Sequence, residues 1–457
     1  MQRWLLITLL VLSGSGPSTA SAQNYPADAV TRLIEYIQID TTNPPGNESR
    51  GVEYFAAIFD AAGIAYDTAE SAPGRGNIWA RLDGGRKPAL VLLNHIDVVP
   101  ADPRYWTVPP LSGEIREGYI YGRGAGDMKG SAIVQLQAFL ALHASGARLS
   151  RDVIFMATAD EEAGGAYGAG WLVHNRPELF ENVGFLLNEG GRGTRYGEQT
   201  VFSIEVTQKV PLWLRVTARG EPGHGSSWRS ETAVTRLLRA ASRIAETQFP
   251  VRVIEPVAAA FKGVAPYQSA EFAEGFADLA SVAEDRKFMR LLELKAPWSH
   301  ALLRDACSVT RLNASDKINV VPPEAYAEVD CRLLPDRDPQ AFVRDLEILI
   351  GDPRVSVEVL MSFTPAVSTT DTELFAAIET LAASQFPGAL TISGVTTGFT
   401  DSHFFRDLGI ISYGFSPFVS PFGEDSGVHG NDERISVENV EAGTRFMIEL
   451  LRRFASD

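Results

Sequence analysis

Five short segments each deliver a histidine or a carboxylate to the end of an apolar run or into a glycine-dense loop. His95 follows Leu90-Val-Leu-Leu93 in Asn94-His95-Ile96-Asp97, where Asp97 is spaced to hold an imidazole that binds a metal. Asp127 lies in Gly122-Arg-Gly-Ala-Gly-Asp127-Met-Lys-Gly130. Those glycines allow a backbone that brings a carboxylate close to a ligand, although a helix-capping Asp127 satisfies the same pattern. The apolar run 153–157 leads into Asp160-Glu161-Glu162, either a solvated turn or acids presented to a cleft. Phe185-Leu-Leu-Asn-Glu189 repeats that arrangement ahead of Gly190 and Gly191, and His429 occupies Ser426-Gly-Val-His-Gly-Asn-Asp-Glu433. Two imidazoles and several carboxylates suit Zn²⁺ or another divalent cation, and carboxylates can bridge two such ions.

Such residues need elements that turn them toward one place. The continuous apolar runs 89–93 and 153–157 suit central strands covered on both faces. Helical spacing over 29–37, 52–62, 131–144 and 165–174 alternates with these runs. The order predicts an α/β fold with a mostly parallel mixed sheet flanked by helices. Its ligands belong at the carboxyl ends of the strands.

The middle of the chain changes pattern. Leu212, Leu214, Val216 and Ala218 alternate with polar neighbours, and a helix is expected over 231–246. Strands near 306–312 and 325–334, a helix over 339–350 and a strand at Val355, Val357 and Val359 follow. That β-α-β-β-α-β order predicts a ferredoxin-like α+β domain. Residues 250–305, rich in aromatics such as Phe261, Phe272 and Trp298, read as a helical insertion in it. The expected division is 1–22 as signal peptide, 23–208 and 364–457 as two parts of one domain, and 209–363 as the inserted domain.

Arg3, an apolar run over 4–12 and the ending Ala20-Ser21-Ala22 read as a secretory signal cleaved before Gln23. The expected location is periplasmic or secreted. The run is too short to span a bilayer, and no later stretch is long enough. A formal charge of −16 makes nucleic acid and anionic membrane improbable partners. Cys307 and Cys331 are too few for a disulfide scaffold, and either a buried thiol or a bond between them fits.

Together the pieces NHIDVVP, GRGAGDMKGS, ATADEEAGG, GEPGHGSS, INVVPPEA and SGVHGNDE resemble the co-catalytic dizinc metallopeptidase family. That family holds carboxypeptidase G, carboxypeptidase S, aminoacylase, acetylornithine deacetylase and succinyl-diaminopimelate desuccinylase. The resemblance spans about residues 30 to 450 in family order, and the long insertion is most similar to the carboxypeptidase S and N-acyl-amino-acid hydrolase branch. It implies two Zn²⁺ ions, with Co²⁺ or Mn²⁺ as substitutes, bridged by Asp127. His95 and Glu189 complete one site, Glu162 and His429 the other. Glu161 is then the general base, Asp97 orients His95, and the peptide bond after Asp127 is cis. His224 is the lid histidine that stabilises the oxyanion, in dimers from the partner chain. Arg332, with Asn319, binds the substrate's free carboxylate.

The activity so implied is hydrolysis of an amide next to a free-carboxylate amino acid, with hydrophobic substrates favoured and a homodimer formed through the lid. Two other readings remain: a dizinc aminopeptidase or dipeptidase, and a non-catalytic peptide-binding protein on the same scaffold. The lid motif counts against a lidless aminopeptidase, and Glu161 beside a full ligand set counts against a binding protein.

Overall fold

The apolar runs become the centre of a ten-stranded mixed sheet in a computed structural model, which describes residues 24–456. The expected signal peptide lies outside the described residues. Arg151–Thr158, Lys87–His95, Val183–Asn188 and Ile411–Gly414 are parallel neighbours in that order. Gly76–Leu82 and Tyr66–Glu70 extend one side antiparallel. On the other side Gln199–Gln208 meets Ile411–Gly414 antiparallel and pairs in parallel with Leu390–Thr396. The fold is α/β with a mostly parallel centre.

Helices cover both faces. Lys129–Ser145 is buried along most of its length between the sheet and the helices Tyr25–Ile37 and Val437–Ala455. Ala169–Asn175 and Ser402–Asp407 cover the opposite face. The helix expected over 165–174 begins only at Ala169, because Gly164 and Gly165 take left-handed φ values of 105° and 70°. Lys129–Ser145 starts without a side-chain cap, so Asp127 is not a capping residue.

A second, four-stranded antiparallel sheet is built from Ala306–Asn313, Glu324–Leu333, Val210–Arg219 and Val355–Ser362, in that spatial order. Ala325, Ala327, Val329, Cys331 and Leu333 turn inward and alternate with more exposed neighbours. Ala233–Glu246 and Pro339–Ile350 cover that apolar face. Order and direction are those of a ferredoxin-like unit. Cys307 stands opposite Cys331 across two strands, and their sulfurs are bonded.

Between Glu255 and Ala301 five helices enclose a separate cluster around Val257, Phe261, Phe276 and Leu292. This insertion reaches across to the first sheet. Gly263 packs so close to Ile392 of the Leu390–Thr396 strand that a Cβ there would lie 2.5 Å from it. Tyr267 also stacks on Tyr196, with 5.5 Å between ring centroids. Among the described residues no helix is long and apolar enough to cross a membrane.

Candidate metal centre

Parallel strands present their carboxyl ends along one edge, and the predicted ligands meet there. Asp127 sits between the two histidines: His95 Nε2 is 3.0 Å from Oδ1 and His429 Nε2 is 3.1 Å from Oδ2. Glu189 Oε1 lies 3.6 Å from His95 Nε2, and Glu162 Oε2 lies 3.1 Å from His429 Nε2. Two ligand sets result, His95–Asp127–Glu189 and Asp127–Glu162–His429, each with its donor atoms within 4.8 Å of one another. The Asp127–Met128 peptide bond is cis.

The donors fit divalent cations. His95 Nδ1 donates to the Asp97 carbonyl at 2.9 Å, which leaves Nε2 facing the Asp127 and Glu189 oxygens, where a cation can take the place of its proton. Each set offers one imidazole and two carboxylates, and Asp127 has one oxygen toward each histidine. Crowding shows in the electrostatics. Burial and the nearby Asp127 carboxylate push Glu189 up to about 7. Burial, with Glu189 next, raises Glu161 well above the usual carboxylate range. Hydrogen bonds to Asp127 and Glu162 raise His429 to about 10. Positive charge between these groups relieves all three.

Glu161 is buried with Oε2 4.0 Å from His95 Nε2, yet it belongs to neither set. Asp97 is fully buried and holds the turn that carries both acids. Its Oδ1 accepts from the Glu161 amide at 3.1 Å and its Oδ2 from the Glu162 amide at 3.2 Å. One carboxylate therefore ties the His95 strand end to the Glu161–Glu162 turn.

Sequence reasoning missed two supports. Asn43 Nδ2 donates to Asp97 Oδ2 at 2.8 Å. Glu433, fully buried, accepts from the Gly126 and Asp127 amides through Oε1 and from the Gly124 amide and Arg123 through Oε2. The loop carrying Asp127 hangs from Glu433. Gly124 takes φ 88° there, with Val98 2.7 Å from where a Cβ would sit, so the loop requires glycine. The one hint was an acid four residues after His429 in the same loop.

A cavity of about 1020 Å³ opens over the cluster. Asp127, Glu161, Glu162, Glu189 and His429 form one wall, Trp213 and Arg332 come from the second sheet, and Trp298 comes from the insertion. Arg332 grips Asp330 through Nε (2.7 Å) and Nη2 (3.0 Å) and lies over Phe399. His224 and Asn319 are placed differently. Gly223–His224 pairs with Val320–Val321, and the Gly225 amide donates to the Asn319 carbonyl, which brings these two residues together. Both are exposed, and neither lines this cavity. His403 is buried between Phe363 and Phe404, outside the lining.

Comparison with known proteins adds independent findings. Residues 91–453 match the family model described as peptidase family M20/M25/M40. The chain is 34% identical to N-fatty-acyl-amino acid synthase/hydrolase PM20D1 of Xenopus tropicalis, over 80% of this chain and 72% of that protein. It is 27% identical to aminoacylase-1 of Sus scrofa, over 94% and 95%. The M20 family metallo-carboxypeptidase Sso-CP2 of Sulfolobus solfataricus superposes with a TM-score of 0.72 at 18% identity, covering 93% of this chain and 98% of that one.

Proposed function

This chain belongs to peptidase family M20/M25/M40, metal-dependent hydrolases of amide bonds, and from that premise we propose that it releases a free-carboxylate amino acid from an N-acyl or peptidyl group. The observation that carries the reading is Glu161: a buried carboxylate at the cavity wall that remains outside both ligand sets. Zn²⁺ is the cation we assign to both sets, with Co²⁺ or Mn²⁺ as substitutes. Cations held there supply Lewis acidity, polarising the amide carbonyl and acidifying water.

The chain's own groups do the rest. Glu161 takes a proton from the attacking water and delivers it to the leaving amine. Asp97 fixes the turn on which Glu161 stands, so the base stays in register with His95. Trp213, Trp298 and Phe399 offer apolar surface to a bulky acyl group or side chain, which favours hydrophobic substrates. The relative PM20D1, an N-fatty-acyl-amino acid synthase/hydrolase, agrees with this preference. Arg332 has donors left beyond the two that Asp330 uses, and these hydrogen-bond the substrate's carboxylate. Asn319, beside His224 and outside this cavity, would help only in a partner's cavity.

The zinc-loaded protein should cleave N-dodecanoyl-phenylalanine much faster than its C-terminal amide, which is turned over slowly but measurably, and a chelator should abolish both reactions. Equal cleavage of both compounds would remove carboxylate recognition. Arg332→Ala should raise KM for the acid roughly 10- to 100-fold, the loss of a charge-assisted bond, and leave the amide unchanged.

We read residues 209–363 as a lid domain set between the two parts of the catalytic domain, and the chain as exported by residues 1–22. His224 lies on an edge that also exposes Trp228 (85%) and Ile318 (fully), and a second copy seated there forms the dimer. His224 then stabilises the oxyanion in its partner's cavity. Mixing Glu161→Gln chains with His224→Ala chains checks this. Each variant alone should be nearly inactive, and the mixture should regain activity because one of its sites is whole. No recovery on mixing would return His224 to its own chain or to the surface.

A further inference from the structure

Arg332 does not bring an unbalanced charge to the cavity, because Asp330 already holds its guanidinium through two hydrogen bonds. A substrate carboxylate that leaves water for this cavity needs a cation that is not already neutralised. Lys209 meets that description. It lines the same cavity as Arg332 and Glu161, and only 1% of it is exposed. Its Nζ donates to two carbonyls, Ala301 at 2.8 Å and Arg304 at 2.6 Å, and makes no ion pair among the described residues. Asp305, the nearest acid in charge terms, is engaged by Arg252 and by the Leu334 amide. An ammonium has three donors, so one is left over.

We propose that Lys209 is the cation that recognises the substrate's carboxylate, with Arg332 supplying the directional hydrogen bonds beside it. The assignment rests on the proposed cleavage next to a free carboxylate. Its electrostatic setting agrees: burial lowers the lysine to about 8, Asp305 opposes the fall, and Arg332, Arg252 and Arg304 add to it. A substrate anion reverses that pressure and repays the buried charge. The backbone makes Lys209 a fixed point as well, since its amide donates to the Thr396 carbonyl at 2.9 Å and both neighbouring residues are in strands. The same side chain grips the end of the Pro297–Ala301 helix, next to Trp298, so it joins the anion site to the wall that receives the apolar part of the substrate.

The test compares N-dodecanoyl-phenylalanine with its C-terminal amide on the full zinc-loaded chain. Lys209→Gln keeps a donor for the insertion carbonyls and removes the charge. It should raise KM for the acid at least about 10-fold, leave the amide unchanged, and be rescued by Lys209→Arg. In the Glu161→Gln background the same substitution should weaken calorimetric binding of the intact acid by the same factor. Should Lys209→Gln fail to fold, Lys209→Met, which keeps the stem, is read by the same ratio. An acid-to-amide preference kept by the neutral variants, or an equal loss on both substrates, overturns the assignment and leaves Lys209 as an anchor of the insertion. A wild-type protein with no preference for the acid overturns the carboxylate reading itself.

Discussion

Replacing Glu161 by glutamine is expected to lower kcat by roughly 10²- to 10⁴-fold while both metal sites stay filled. The side chain keeps its size and its place in the turn held by Asp97, and only the ability to carry a proton is lost. Because Glu161 belongs to neither ligand set, elemental analysis of the variant should return the wild-type metal content. KM should change little, since the cavity and its cations are untouched. A variant that turns over normally would remove Glu161 as the base. One that is inactive but has lost metal would make Glu161 a ligand instead.

The second large effect concerns Asp127. It is the one residue common to both ligand sets, so Asp127→Ala should empty both. His95→Ala and His429→Ala should each cost mainly one ion. The measurement is metal content after dialysis, with activity alongside. A supporting residue of a metal site costs roughly 10- to 100-fold when removed. A shared ligand should exceed that range and leave no measurable hydrolysis. Retention of one full metal equivalent by Asp127→Ala would show two independent sites in place of a bridged pair.

The five candidate ligands were legible because each follows an apolar run or sits among glycines, and parallel strands put their carboxyl ends on one edge. His95 and Glu189 show this directly: one ends a strand and the other follows the end of its neighbour, the two strands being paired through Leu90 and Phe185. The second sheet was legible for a similar reason: alternation at Leu212–Ala218 and Ala325–Leu333 marks which face is covered. Glu433 and Asn43 were not legible as supports. Their partners are backbone amides or a carboxylate far away in the chain, and such bonds leave no spacing to read. Lys209 was hidden in the same way, as a single lysine between two strands whose partners are carbonyls. The aromatics of the insertion announced helices with apolar faces, but a hydrophobic face does not name what it covers. That it reaches Ile392 on the first sheet came from the structure.

The strand Gln199–Gln208 of the first sheet runs into Val210–Arg219 of the second with Lys209 alone between them. Mechanically this is a beam with one joint, and the return path from Ser362 to the Ser368–Val206 hydrogen bond is its second support. Trp213 lies four residues beyond the joint, a lever arm of roughly 13 Å in an extended strand. A turn of ten degrees at Lys209 would carry Trp213 by about 2 Å over that arm. The insertion is packed on the first sheet at Ile392 and Tyr196 and latched to Lys209 through Ala301, so it would stay with that sheet while Trp213 moved. The chamber would then change size by pivoting of one wall about one lysine, with the candidate ligands left standing on the parallel edge.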